Sequence, residues 1–182
     1  MFKALKMFIV LLLMSFFVMV SSSAFAKGFF LNTSIGTAQL DDIEGIGFDN
    51  GITFSLGAGY FLNEYFGVEV DYLTIGDMED EILSLVTLSG DAFTVSAVGK
   101  YNFSEKFTAY AKAGLNFWNL EVTADGYGKE TEDGTDLTFA FGGMFNFNQN
   151  LSTFLQYQWL TFESGGENVD MDSFSLGLQY HF

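Results

Sequence analysis

The 182-residue chain has no cysteine, no proline and no arginine, and a single histidine. Without cysteine there is no disulfide scaffold, no thiolate zinc or iron–sulfur site and no thiol nucleophile. One histidine removes most metal constellations and most base-assisted nucleophiles. Seven lysines stand against 23 acids, a formal charge of −16, so the clustered cations that hold nucleic acid are missing. Charged residues make up 16% of the chain and aromatic residues 18%, a composition too apolar for a disordered polymer. Beyond residue 26 no apolar run approaches the ~18 residues of a membrane-spanning helix.

What is present begins with a leader pattern. Lys3 and Lys6 precede an apolar run from Met7 to Val20, followed by Ser21–Ser23 and Ala24-Phe25-Ala26. A basic start, a short apolar stretch and a small-x-small site, in that order, predict a signal peptide over 1–26 rather than an anchor. The expected mature chain, 27–182, keeps all 23 acids and five lysines.

From there to the end, apolar and polar residues alternate with period two. The last segment shows it best: Phe174, Leu176, Leu178, Tyr180 and Phe182 share one face, and Ser173, Ser175, Gly177, Gln179 and His181 share the other. Eight such runs are expected, near 28–40, 50–62, 65–76, 92–103, 107–121, 136–147, 151–163 and 171–182. Each meets the ~9–11 residues that a tilted strand needs to cross a bilayer. Tight turns at 62–65, 103–106 and 148–150 alternate with longer connections at 41–49, 77–90, 122–135 and 163–170. The pattern predicts an all-β, eight-stranded antiparallel transmembrane barrel as one domain over 27–182, with long loops at one end and short turns plus both termini at the other.

Alternation alone fits a soluble barrel equally well, and three features separate the two. The polar face carries small or neutral residues, such as Thr53, Ser55, Gly57, Thr94, Ser96, Thr138 and Asn146, where a solvated face would carry lysine and glutamate. Aromatic residues on the apolar face sort by strand end, as interfacial girdles do: Tyr60, Phe66, Tyr101, Phe107 and Tyr180 near the short turns, and Tyr72, Phe93, Phe117, Phe139 and Trp159 near the long connections. Nineteen of the 23 acids lie in or beside the long connections. Glu64 and Glu105 sit in short turns, and only Glu69 and Asp71 are expected within strands, on the polar face.

Lys100 and Lys112 fall on that same face. Glu69, Asp71, Lys100 and Lys112 are therefore expected as a lumenal ion-pair network of zero net charge, since an unpaired buried charge is costly. Its expected role is to plug the barrel and fix register. The competing readings are an ion or proton path and a catalytic carboxylate pair, the latter disfavoured because no nucleophile or shaped pocket accompanies it.

Tyr65-Phe66-Gly67-Val68-Glu69-Val70-Asp71-Tyr72, Ala109-Tyr110-Ala111-Lys112-Ala113-Gly114-Leu115 and the terminal Leu178-Gln179-Tyr180-His181-Phe182 resemble the small outer-membrane β-barrels, the group of the OmpA transmembrane domain, OmpX and Ail. The resemblance covers the whole expected mature chain. It implies a Gram-negative outer-membrane location, with long loops extracellular and termini periplasmic. It also implies delivery by periplasmic chaperones, and a C-terminal signal of Leu178, Tyr180 and Phe182 read by the barrel-assembly machinery. The bilayer and lipopolysaccharide are the implied surroundings. Function is less specified, because the family spans adhesins, structural proteins, narrow pores and lipid-modifying enzymes. No peptidoglycan-binding domain follows the barrel, so a tether role is not expected. The long connections carry one lysine, Lys129, which argues against direct pairing with polyanions.

Enzymatic work on lipid A needs a base beside a hydroxyl. His181 is expected as a polar residue at a wet barrel mouth, not as that base. Asp77, Glu79, Asp80 and Glu81 offer oxygen ligands for a divalent cation but lack the spacing of a calcium loop, so a solvated loop and no cofactor are expected, the alternative being a loop whose carboxylates recruit divalent cations that bridge to lipopolysaccharide. The expected function is a non-enzymatic surface protein with a plugged lumen and acidic loops that contact an unspecified surface partner. The alternatives are a narrow channel for ions or small apolar molecules and, more remotely, a lipid A-modifying enzyme.

Overall fold

The computed structural model describes residues 28–40, 50–79, 86–124, 128–164 and 167–182; at 40, 77–79, 86–88, 122–124, 128–130, 162–164 and 167–169 it describes the backbone alone. The expected signal peptide lies outside these residues. Eight strands follow in chain order: β1 (Phe29–Leu40), β2 (Gly51–Phe61), β3 (Phe66–Glu79), β4 (Val86–Asn102), β5 (Phe107–Ala124), β6 (Gly128–Asn146), β7 (Leu151–Ser164) and β8 (Glu167–His181). Each pairs antiparallel with the next, and β1 pairs with β8 from Phe30↔His181 to Leu40↔Met171, closing the barrel. Closure leaves no open edge at membrane depth, where unpaired backbone groups would find no water.

The three tight turns share one device. Asn63 Oδ1 accepts from the Tyr65 and Phe66 amides at 2.8 and 2.9 Å, and Asn148 Oδ1 accepts from Asn150 and Leu151 at 2.8 Å. Ser104 Oγ does the same for Lys106 and Phe107 at 3.3 and 3.1 Å. A short polar side chain thus replaces a backbone acceptor in each turn.

The period-two pattern separates the faces as expected. Ile52, Phe54, Leu56, Phe66, Leu115, Leu137, Phe139, Leu155 and Leu176 point outward and are exposed, as are both sets of aromatic residues apart from the half-exposed Tyr60 and Phe93. An apolar surface running round the whole barrel suits a lipid surround and no aqueous one.

Two expectations are corrected. The connections at 77–90 and 122–135 are largely strand: β3 runs to Glu79, β4 starts at Val86, β5 runs to Ala124 and β6 starts at Gly128. Acids such as Asp91, Glu121, Asp133 and Asp136 therefore lie on strands, alongside Glu69 and Asp71. The cause is that the ladder needs only backbone partners. Once strands leave the apolar band both faces become polar, and the periodicity that revealed them disappears. The pairing reflects this, since β6 pairs with β5 as far as Gly128 but with β7 only from Thr138 to Asn146.

The second correction concerns the lumen, whose filling is not confined to small neutral residues. A layer near the long-connection end contains Leu73, Ile75, Ala92, Trp118, Leu160 and Met171. Near the short turns, Phe30, Phe61 and Val98 form one cluster and Tyr110, Met144 and Phe154 another. A narrow barrel leaves space that only side chains can fill, and apolar residues on the lumenal face do not stand out in a sequence already rich in them.

Candidate functional site: the lumenal polar belt

Between the two apolar layers lies a polar belt that strand register builds residue by residue. One cross-strand row runs Asn32↔Gly57↔Asp71↔Thr94↔Asn116↔Asp136 across β1 to β6. In the other direction it runs Asn32↔Gln179↔Ser152↔Asn146. The row meets β6 at Asp136 one way and Asn146 the other, and that offset is the stagger that tilts the strands. Every residue on it apart from Gly57 has a polar side chain, and Asn32, Thr94, Asn116, Ser152 and Gln179 are buried.

The belt satisfies most of its polar groups internally, as buried polar groups must be. Thr94 donates to Asn116 Oδ1 at 3.0 Å, Ser152 to Asn146 Oδ1 at 2.7 Å, and Ser34 and Ser55 share a 2.6 Å contact. Trp118 Nε1 donates to Asp136 Oδ2 at 2.6 Å, tying the apolar layer to the row. Tyr110 donates to Gln156 Oε1 at 3.2 Å.

Three of the four charged residues singled out in the sequence meet here. Lys112 Nζ lies 2.5 Å from Glu69 Oε1, with side-chain exposures of 11% and 1%. Asn32 Nδ2 donates to the same oxygen at 2.8 Å. The Asp71 carboxyl lies within interaction range of Glu69, Asn32 and Lys112.

Lys100 stands apart from this group. Its Nζ sits 3.6 Å from the centroid of the Phe61 ring, and it interacts electrostatically with Glu64 and His181. Register explains the separation. Glu69 pairs with Ser96, four residues deeper than Lys100, and four strand residues span about 13 Å. Lys112 pairs with Val98, which pairs with Gly67, only two residues from Glu69, and its side chain covers that gap. Counting from the turns could not distinguish the two lysines.

His181 also differs from expectation. Its ring packs against Phe30 and Phe61 at centroid distances of 5.8 and 6.1 Å, and Nε2 is 2.8 Å from Gln179 Nε2. It belongs to the apolar layer at the short-turn end, because the lumenal face of β8 leads it there rather than into open solvent. The C-terminal residues Leu178, Tyr180 and Phe182 all point outward. The Phe182 amide donates to the Phe29 carbonyl at 3.1 Å and its ring lies 5.3 Å from that of Phe29.

Asp80 and Glu81 lie outside the described residues, and Asp77 and Glu79 are described only in their backbone. Among the described residues no three Asp, Glu, His or Cys side chains cluster as divalent-metal ligands. The residues that sequence reasoning missed are Asn32, which bridges into the ion pair, and Gly57, which faces Asp71 across the ladder. Only the register across three strands joins them.

Comparison with known proteins fits this architecture. Residues 8–182 match the family model described as outer membrane protein beta-barrel domain. Outer membrane protein A of Escherichia coli O157:H7 is 26% identical over 164 residues, covering 84% of this chain but 47% of its own length, so the chain spans about half of that relative. Among solved structures, Neisserial surface protein A superposes with a TM-score of 0.72 at 17% identity, over 85% of this chain and 97% of that one. The attachment invasion locus protein Ail of Yersinia pestis gives 0.63 at 20% identity, over 86% and 99%, and has also been solved in complex with the heparin analogue sucrose octasulfate. The chain belongs to the outer membrane protein beta-barrel domain family, as an eight-stranded barrel of the outer membrane.

Proposed function

We propose that the protein is a non-enzymatic surface barrel whose lumen is closed and whose contacts are made by its acidic loops. The observation that carries this reading is the filling of the lumen: apolar layers at both ends enclose a hydrogen-bonded, ion-paired belt. Among the described residues, two lumenal cavities measure about 20 and 10 Å³. Such volumes hold about one water each, far short of a continuous path. The long connections would face outward and both termini the periplasm, the arrangement usual for such barrels.

Among the described residues no catalytic arrangement accompanies this. The ring of His181, the sole histidine, lies among phenylalanines, and Glu69 is committed to Lys112. The outward surface has one lysine among its long connections, so a polyanion of the kind bound to Ail is not the partner we assign. A basic or cation-bridged surface suits the acidic loops better. Through Glu69, Asp71 and Lys112 the belt would serve to plug the barrel and hold register.

Single-channel recording in planar bilayers tests the proposal, using residues 27–182 refolded in detergent and verified by heat-dependent gel mobility. Silence from folded protein is the expected result. Discrete conductance steps altered by Lys112→Met would overturn it and make the ion pair a gate.

A further inference from the structure

The short-turn end of the lumen is closed by a layer that includes the sole histidine. Phe30 is fully buried and lies 4.9 Å from Phe61 between ring centroids, and His181 packs against both. The end of β8 is tied down at this point. The His181 amide donates to the Asn150 carbonyl at 2.7 Å, and Asn150 Nδ2 donates to the His181 carbonyl at 2.8 Å. With its backbone held at both groups, the ring leaves the layer only by giving up the phenylalanines.

Two features of this place require a neutral ring. Gln179 Nε2 lies 2.8 Å from His181 Nε2 and 4.0 Å from Met144 Sδ. A thioether sulfur only accepts, so the amide nitrogen is the donor to both, and His181 Nε2 offers it a lone pair. The ring proton then sits on Nδ1, and a second proton would set two donors against each other at hydrogen-bond distance. Charge opposes that proton as well. Lys100 holds its ammonium 3.6 Å from the centroid of Phe61, the ring on which His181 stacks, and the two basic groups interact electrostatically. Glu64, in the adjoining turn, interacts with Lys100. Phe30, Phe61, Gln179 and Met144 bring no charge. Among the described residues no carboxylate, the chain terminus included, forms an ion pair with His181.

We propose that His181 is an acid-sensitive latch: its neutral, Nδ1-protonated ring holds the short-turn end of the lumen closed, and protonation releases that layer. An imidazole in the unfolded chain takes up a proton near about pH 6.5. A folded state that excludes this proton loses stability as pH falls below that value, by at most about tenfold in the unfolding constant per pH unit for one proton. The latch goes beyond the function proposed above and concerns one end of the lumen alone. The polar belt and the Trp118 layer stay closed when it opens, so the conductance test above and the test below fail independently.

The test is equilibrium urea unfolding in zwitterionic detergent from about pH 7.5 to about pH 5, across the ordinary histidine range, beside His181→Phe. That variant keeps an aromatic ring in the layer and removes the titrating group. Both chains carry the same carboxylates, whose titration cancels in the ratio of their unfolding constants. Relative to His181→Phe, the unfolding constant of the unaltered protein should rise about tenfold per pH unit below about pH 6. Lys100→Met should shorten that rise, since the ring then meets one cation fewer. With isotope-labelled ring nitrogens, the nuclear magnetic resonance spectrum of the sole histidine near neutral pH should show a bare Nε2 and a protonated Nδ1. Parallel pH profiles for the unaltered protein and His181→Phe would overturn the latch. A ring carrying its proton on Nε2 at neutral pH would overturn it equally. The spectrum uses the unaltered chain, so it decides the question even if His181→Phe fails to fold.

Discussion

Replacing Lys112 with methionine keeps most of the side-chain volume and removes the charge. Glu69 is 1% exposed at its side chain and would retain the Asn32 amide at 2.8 Å as its remaining close donor. Removing one member of a buried pair costs about 3–5 kcal/mol, because the survivor keeps its desolvation penalty without its partner. With a urea dependence of about 2 kcal/mol/M, the unfolding midpoint should drop by about 2 M. Trp118 and Trp159 report the transition, one lumenal and one outward, and gel mobility of the unheated protein reports it independently. A double variant, Glu69→Gln with Lys112→Met, should recover most of the loss, since removing both partners is often close to neutral. An unchanged midpoint for Lys112→Met alone would refute the pairing. A double variant no better than the single would show that lost packing, not charge, causes the effect.

Ala113→Arg places a cation on the outward face midway between Phe107 and Phe117, and should destabilise by about 2–4 kcal/mol in lipid. Thr131→Arg, beyond the apolar band on the same outward face, should cost little in the same unfolding measurement. Gly59→Ala would drive a methyl into the Phe30 ring and to 2.6 Å from the Val68 carbonyl, an overpacking cost of about 1–3 kcal/mol read as a lower urea midpoint. Deleting Phe182 removes its contact with Phe29 and the end of the proposed assembly signal. The heat-shifted band should then fall in membranes of expressing cells, while refolding into detergent in vitro should be less affected.

Strand number, antiparallel order, the outward apolar face and the outer-membrane location were all legible in the sequence. The first three follow from local rules, period-two alternation, turn residues at Asn63, Ser104 and Asn148, and aromatics sorted by strand end, while the location came with the resemblance to the small outer-membrane barrels. Charge segregation was legible because a charge on the lipid face has no remedy there. The polar parts of β3 to β6 were not, since outside the bilayer nothing forces apolar residues onto one face.

Contacts inside the barrel were decided by tertiary structure alone. Which lysine meets Glu69 depends on the register between β3, β4 and β5, and a shift of two residues on one strand moves a side chain about 7 Å. That distance separates the paired Lys112 from a lysine left over the Phe61 ring. Register across β1, β2 and β3 brings Asn32 to Glu69 from 37 residues away and sets Asn32 and Asp71 beside Gly57. Sequence determined that a polar lumenal face exists, because alternation is a property of each strand by itself. Stagger determined what that face contains, because it is a property of the closed sheet and is written in no single segment.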